Sequence, residues 1–229
     1  MKRWREYFTT LVLATVCALF VRNYLVTAYR VPTGSMQPTL KPGDFIFSSR
    51  ISYGVSIPFS PKKWAVSLPE RGDVVVFSYP DQPTITYVKR VVGLPGDRIQ
   101  ILKGRLWVNE EALQYEKVAA EEEARDNPSP ELFDIYREVG IESGRPWRVI
   151  FQKRPEEKDF GPLVVPPGEV FLLGDNRDAS DDSRYWGTVP VGQLEGRVRW
   201  IWLSLDWQNR WGGERYPSLR WERVFSAVH

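Results

Sequence analysis

Histidine is almost absent from this chain: of 229 residues only His229 is one. Catalytic triads, cysteine–histidine dyads and most zinc sites need a placed imidazole, so an enzyme built from this sequence needs another base. Cysteine is as scarce. The single Cys17 excludes an intrachain disulfide and any cysteine-based metal site. No excess of one charge is present either: 31 Lys and Arg stand against 29 Asp and Glu, a net charge of +2, which gives no electrostatic case for a nucleic-acid partner. The residues call for no metal and no cofactor.

One long apolar stretch is present. Lys2, Arg3 and Arg5 precede residues 7–21, which carry no charge, and residues 7–29 make a 23-residue span. As a helix rising ~1.5 Å per residue this crosses a hydrocarbon core of ~30 Å, with Arg22 able to reach the headgroups and Tyr7, Tyr24 and Tyr29 at the interfaces. A single transmembrane anchor over 7–29 is therefore expected, with residues 1–6 cytoplasmic and the rest outside. The competing reading is a cleavable signal peptide, since Val26, Thr27 and Ala28 are small enough for a cleavage site, although Arg22 and Asn23 interrupt the approach to it.

From Val31 onward the sequence reads as short apolar runs: "DFIFSSRI", "DVVVFSY", "ITYVKRVVG", "DRIQILKG", "RLWVN", "RVIFQK", "GEVFLLGDN" and "VRWIWLSLD". They are rich in β-branched and aromatic residues and bounded by "KPGD", "ERGD", "LPGD" and "PPGE", so a mostly β fold of antiparallel sheet is predicted. Residues 103–165 are denser in charge and poorer in strand pattern. They read as an insertion subdomain between two parts of a β-rich core, 30–102 and 166–229. The acids Glu121 to Glu123 within the insertion read as a solvated face, because adjacent side chains diverge on any regular element. Arg71-Gly72-Asp73 reads as a turn feeding a buried strand.

Without an internal histidine, a serine hydrolase needs a lysine as base, and that lysine must lose several units from its free pKa of ~10.4 by desolvation. Lys62, Lys63, Lys117, Lys153 and Lys158 sit in polar surroundings. Lys89 lies in the apolar run "ITYVKRVVG", where alternation puts Tyr87, Lys89 and Val91 on one face and Val88, Arg90 and Val92 on the other. Either one of Lys89 and Arg90 faces inward, or both are exposed on an edge strand. "GDNRDASDDSRYWG" packs four aspartates, two arginines and an asparagine into fourteen residues, a composition that fits an ion-pair network better than a metal cage.

"PTGSMQPTLKPGD", "RGDVVVF", "YVKRVVGLPGD" and "GDNRDASDDSRYWGTVP" occur in this order, and they resemble the successive motifs of bacterial type I signal peptidases, membrane-anchored endopeptidases with a Ser-Lys dyad. The resemblance covers roughly residues 26–102 and 165–196; the insertion has no such match. It implies Ser35 as nucleophile, Lys89 as general base, and an oxyanion hole made of the Ser35 backbone N–H and the Thr33 hydroxyl. It further implies that Ser180 hydrogen-bonds and orients Lys89, that Asp182 and Arg184 brace the site, and that Asp175, Asn176 and Arg177 fix the loop.

The implied substrates are signal peptides of exported preproteins, cut after small residues at the first and third positions before the scissile bond, on the outer side of a bacterial inner membrane. An extended substrate pairing with a sheet edge would find pocket walls in Val31 and Met36 beside the nucleophile and in Tyr87 and Val88 beside the base. The lipid bilayer is the second expected partner. Trp200, Trp202, Trp207 and Trp211 are candidates for its interface, with core packing as the alternative for Trp200 and Trp202. A different class of function is a membrane-tethered β-rich binding module without activity.

Overall fold

The computed structural model of the chain describes residues 2–20, 25–56, 63–64, 67–139, 146–154, 158–211 and 216–229. After helix α1 (Lys2–Phe20) the chain is built almost wholly from antiparallel strands. The main sheet holds β1 (Val26–Arg30), β2 (Asp44–Ser49), β5 (Val74–Ser78), β6 (Thr86–Gly93), β14 (Glu169–Leu173), β15 (Val189–Pro190) and the long β16 (Leu194–Trp211). Their spatial order is β1-β2-β16-β5-β6-β14-β15, and β17 (Tyr216–Leu219) and β18 (Ser226–Ala227) also pair with β16. A short hairpin of β3 (Val55–Ser56) and β4 (Lys63–Trp64) stands apart. All eight apolar runs read from the sequence form strands.

The four Pro-Gly or Arg-Gly steps close these strands by one shared geometry. Gly43, Gly72, Gly96 and Gly168 all have φ between 78° and 93°, the left-handed region that glycine enters without steric penalty. In each turn the acid that follows donates its N–H back to the carbonyl three residues earlier, as Asp44 does to Lys41 at 3.0 Å and Asp97 to Leu94 at 3.0 Å. The carboxylates of Asp44, Asp73 and Asp97 then accept the N–H of that same residue, at 2.8, 3.1 and 2.6 Å. At Gly43 a Cβ would meet the Leu205 carbonyl oxygen at 2.0 Å, so no other residue fits there.

The charged stretch folds more regularly than its composition predicts. β7 (Arg98–Leu102), β8 (Arg105–Val108), β9 (Glu111–Ala112) and β13 (Phe160–Val164) form a four-stranded sheet in the order β13-β7-β8-β9. β10 (Gln114–Lys117), β11 (Phe133–Val139) and β12 (Trp147–Gln152) form a second sheet, and the acidic run lies in the short helix α2 (Ala120–Asp126). Since β13 lies against β7, the chain leaves and re-enters the main sheet side by side, which keeps the loop-closure cost of the intervening residues small. Val92, Phe171 and Leu173 of the main sheet pack with Ile99, Leu106, Trp147 and Val149 in one buried cluster.

The expectation that fails is the spanning helix over 7–29. Residues 26–30 are extended and pair with β2 from Val26 opposite Ser49 to Arg30 opposite Phe45. Tyr29, assigned above to a lipid interface, donates its hydroxyl to Glu195 Oε2 at 2.5 Å instead. The uncharged part of α1, residues 7–20, reaches only ~21 Å at helical rise. Among the described residues no helix is long and apolar enough to cross a membrane. The β-branched Val26 and Thr27 and the aromatic Tyr29 suit a strand wherever a partner edge is available, and β2 supplies one. Arg22, Asn23 and Tyr24 lie outside the described residues.

Candidate active site

Ser35 sits in the irregular segment between β1 and β2, and hydrophobic anchors fix that segment. Val31, Met36 and Leu40 are buried with Ile46, Val74, Val76 and Val198, while turn bonds join Gln37 N to Gly34 O at 3.1 Å and Leu40 N to Met36 O at 2.8 Å. With neighbours pinned on both sides, the half-exposed Ser35 hydroxyl is held out of the core and turned toward β6.

Lys89 lies in β6 opposite Val75 of β5 and is only 4% exposed. Its Nζ stands 2.8 Å from Ser35 Oγ and 5.6 Å from the centroid of the Tyr87 ring. Burial pushes the Lys89 ammonium down to about 8, while the carboxylates of Asp182, Asp181 and Asp175 pull it partly back up. Thr33 Oγ1 lies 3.4 Å from Ser35 Oγ on the exposed side. A hydroxyl, an amine that loses its proton near neutrality and a second hydroxyl thus converge on one point of the surface.

Arg90, next to Lys89, is 1% exposed, so both alternatives read from the sequence are overtaken: two adjacent cations are buried, on opposite faces of the strand. Arg90 is neutralised by Asp175, whose Oδ1 and Oδ2 accept from its Nε and Nη2 at 2.7 Å each, and Thr39 Oγ1 donates to Asp175 Oδ2 at 2.5 Å. The alternating pattern flagged the position, but not the partner.

The loop after β14 meets the Ser35 segment directly. Asn176 donates its backbone N–H to Ser35 O at 3.1 Å and its side-chain Nδ2 to Gly34 O at 3.2 Å. Asp182 caps the short helix α3 (Ser183–Trp186), accepting from Gly174 N at 3.0 Å and from Arg184 Nε and Nη2 at 2.7 and 2.8 Å. Arg177 pairs with the fully buried Glu138 of β11. The ion pairs anticipated in this loop are present, but Arg177 finds its partner outside the loop, in a strand whose sequence gave no sign of it.

Two expectations for side chains change. Ser180 makes no hydrogen bond to Lys89: its Oγ is buried without a partner, and it lies so close to Gly174 that a Cβ there would sit 2.1 Å away. The turn closed by Ala179 N–H to Asn176 O at 3.2 Å leads into Ser180, whose hydroxyl lies against Gly174. Val31 and Met36 are core residues with almost no surface, whereas the half-buried Val88 lies at the edge of their cluster. Tyr87 is on the other face, packed on Phe77 and stacked on Tyr79 with ring centroids 4.9 Å apart. Trp202 stacks on Phe47 at 5.5 Å, while Trp200 and Trp207 are exposed and the Trp211 side chain lies outside the described residues.

A buried lysine beside a serine hydroxyl is an arrangement that can activate a serine without histidine. The family model described as signal peptidase, peptidase S26, matches residues 4–203. A signal peptidase I from Pseudomonas fluorescens is 37% identical over 216 residues, covering 87% of this chain and 72% of that protein. One from Rickettsia typhi is 32% identical over 258 aligned residues, covering 100% of this chain and 95% of that protein. A crystal structure of a signal peptidase I from Enterococcus faecalis is 28% identical, covers 58% of this chain and 98% of that one, and superposes with a TM-score of 0.36. The chain belongs to the peptidase S26 family of signal peptidases and is thereby a hydrolase of the serine endopeptidase class.

Proposed function

We propose that this chain removes signal peptides from exported preproteins with Ser35 as nucleophile and Lys89 as general base, cutting after small residues in an Ala-x-Ala pattern. The observation that carries the reading is the 2.8 Å approach of a buried Lys89 Nζ to Ser35 Oγ. Neutral Lys89 takes the hydroxyl proton as Ser35 Oγ bonds to the scissile carbonyl carbon. The oxyanion then meets the Ser35 N–H and the Thr33 hydroxyl. Collapse breaks the C–N bond and the Lys89 ammonium protonates the leaving amine. Water, deprotonated by the same lysine, releases the acyl group.

The sheet supports an extended substrate. β5 pairs with β6 from Thr86 to Arg90, but β14 pairs only from Arg90 onward, so among the described residues the second edge of β6 at Thr86, Tyr87 and Val88 has no strand partner. A preprotein strand laid there would carry its scissile bond toward Ser35 and press alternate side chains against Val88 and its neighbours. A bacterial membrane, on the side where exported preproteins emerge, is the proposed setting, with lipid met by the exposed Trp4, Phe8, Leu11 and Leu13 of α1.

Incubation of the purified full chain with a preprotein, and mass spectrometry of both products, tests the reading. Cleavage after an Ala-x-Ala segment, lost in Ser35→Ala, is expected. An intact preprotein with the wild-type chain would leave the alternative of a binding module.

A further inference from the structure

We infer that Glu138, far from Ser35 in sequence and carried by the three-stranded sheet of β10, β11 and β12, is a positioning residue that aims the oxyanion-binding N–H of Ser35. The inference rests on the reading of Ser35 as nucleophile. It begins with an anion that has no solvent: Glu138 is 0% exposed. Its carboxylate accepts from Trp147 Nε1 at 2.7 Å, from Arg177 Nη1 at 2.6 Å, from Arg177 Nη2 and from the Tyr115 hydroxyl. A buried carboxylate held by a two-pronged guanidinium and two further donors has one orientation, because any rotation strands a desolvated charge.

Arg177 transmits that orientation to its own backbone. Its Nε donates to Gly174 O at 3.2 Å, its N–H to Ile150 O of β12 at 3.0 Å, and Ile150 N–H donates to Asp175 O at 2.9 Å. One residue further on, Asp178 Oδ2 accepts from Gln152 N at 2.7 Å. The loop 174–178 is therefore fastened to the small sheet at Asp175, Arg177 and Asp178. Asn176, between these fastenings, faces the other way and grips the nucleophile's main chain at Gly34 O and Ser35 O.

The consequence follows from the planarity of one peptide. Gly34 C=O and Ser35 N–H belong to the same trans unit and point in opposite directions, so a bond that fixes the carbonyl also fixes where the N–H points. Asn176 Nδ2 holds the carbonyl. The loop has no slack to move into the gap, since a Cβ on Gly174 would already meet Ser35 O at 2.6 Å. The path from β11 to the oxyanion donor is thus Glu138, Arg177, Asn176, Gly34. It gives the small sheet a part in catalysis although none of its side chains touches substrate.

The test uses the full chain with Glu138→Gln and Asp178→Ala, each measured for kcat, KM and pH midpoint and normalised to the concentration of Ser35 that a covalent serine reagent titrates. Glu138→Gln keeps the shape but opposes an amide to Arg177; kcat per titrated site is expected to fall by about 10- to 100-fold, with KM within about twofold and the pH midpoint of Lys89 unmoved. Asp178→Ala loosens the same loop at a partly exposed point and is expected to lower kcat several-fold with a melting temperature within a few degrees of the wild type. A purely structural role for Glu138 would reduce the number of titratable sites and leave kcat per site as in the wild type, and that result overturns the inference. Should Glu138→Gln not fold, wild-type kcat in Asp178→Ala overturns it equally. Failure of the dyad itself would show separately, as cleavage by Ser35→Ala.

Discussion

Lys89 and Arg90 are consecutive residues of β6, both are buried, and they turn to opposite faces of the sheet with opposite electrostatic fates. Arg90 meets a full carboxylate in Asp175, and its charge is cancelled by two parallel bonds of 2.7 Å. Lys89 meets a hydroxyl and a ring, and among the described residues it forms no ion pair. The one cation is paired with a carboxylate, and the other has its pKa lowered by burial.

Replacement of Ser35 or Lys89 by alanine is expected to abolish preprotein cleavage, the lysine change lowering kcat by at least ~10²–10⁴-fold, the usual span for a lost general base. Circular dichroism should show both variants folded, since Ser35 is half-exposed and Lys89→Ala removes a charge from a buried site. Turnover near the wild-type rate in either variant excludes the dyad.

Activity should rise with pH. The amine works only when neutral, and burial sets its pKa at about 8, so the logarithm of kcat/KM should climb with unit slope below that value and level off above it. A profile that is flat between pH 6 and 9 would contradict the assignment of Lys89 as base.

Lys89→Met should stabilise the fold while destroying activity. The folded-state pKa is depressed from 10.5 to about 8, so the native state binds its proton less readily than the unfolded chain. The penalty is complete below pH 8 and fades as pH rises toward 10.5. Urea unfolding should therefore show the methionine variant more stable at pH 7 by about 3 kcal/mol, with most of the gain gone by pH 10. An equal difference at both pH values would show that packing, not charge burial, is responsible.

Asp175→Ala should be among the most damaging substitutions outside the reacting atoms. It leaves the Arg90 guanidinium, 1% exposed, without its carboxylate, and removing one partner of a buried pair typically costs ~3–5 kcal/mol. Chemical denaturation measures this; a loss below ~1 kcal/mol would mean that the Gly72 and His229 carbonyls, which also accept from Arg90 Nη1 at 2.6 and 3.1 Å, suffice.

Thr33→Val should lower kcat by ~10²-fold with little change in KM, and Thr33→Ser should restore most of it, because only the hydroxyl can meet the oxyanion. Equal kcat values for the valine and serine variants would remove Thr33 from the oxyanion hole.

Much of the fold could be read along the chain. The eight apolar runs became strands because period-two alternation and β-branched side chains act over a few contiguous residues. The strands β10 and β11 escaped notice because the face opposite Tyr115 and Tyr136 carries Gln114, Glu116 and Arg137, and a half-solvated sheet looks like a polar loop in one dimension. The anchor was misread for the opposite reason. Apolar residues on either side of Arg22 merge into one stretch on paper, whereas the chain divides them between a helix and an edge strand.

The sequence by itself determined where the chain turns and that any base for a serine must be a lysine, since turn geometry belongs to four adjacent residues and composition belongs to none in particular. Only the tertiary structure decided which lysine is buried beside Ser35, which carboxylate pairs with its neighbour Arg90, and that a glutamate of the small sheet holds Arg177 in the loop against Ser35. Each of these depends on desolvation by partners remote along the chain, 54 residues for Lys89 with Ser35, 85 for Arg90 with Asp175 and 39 for Arg177 with Glu138, and such burial comes into being when the sheets close over one another.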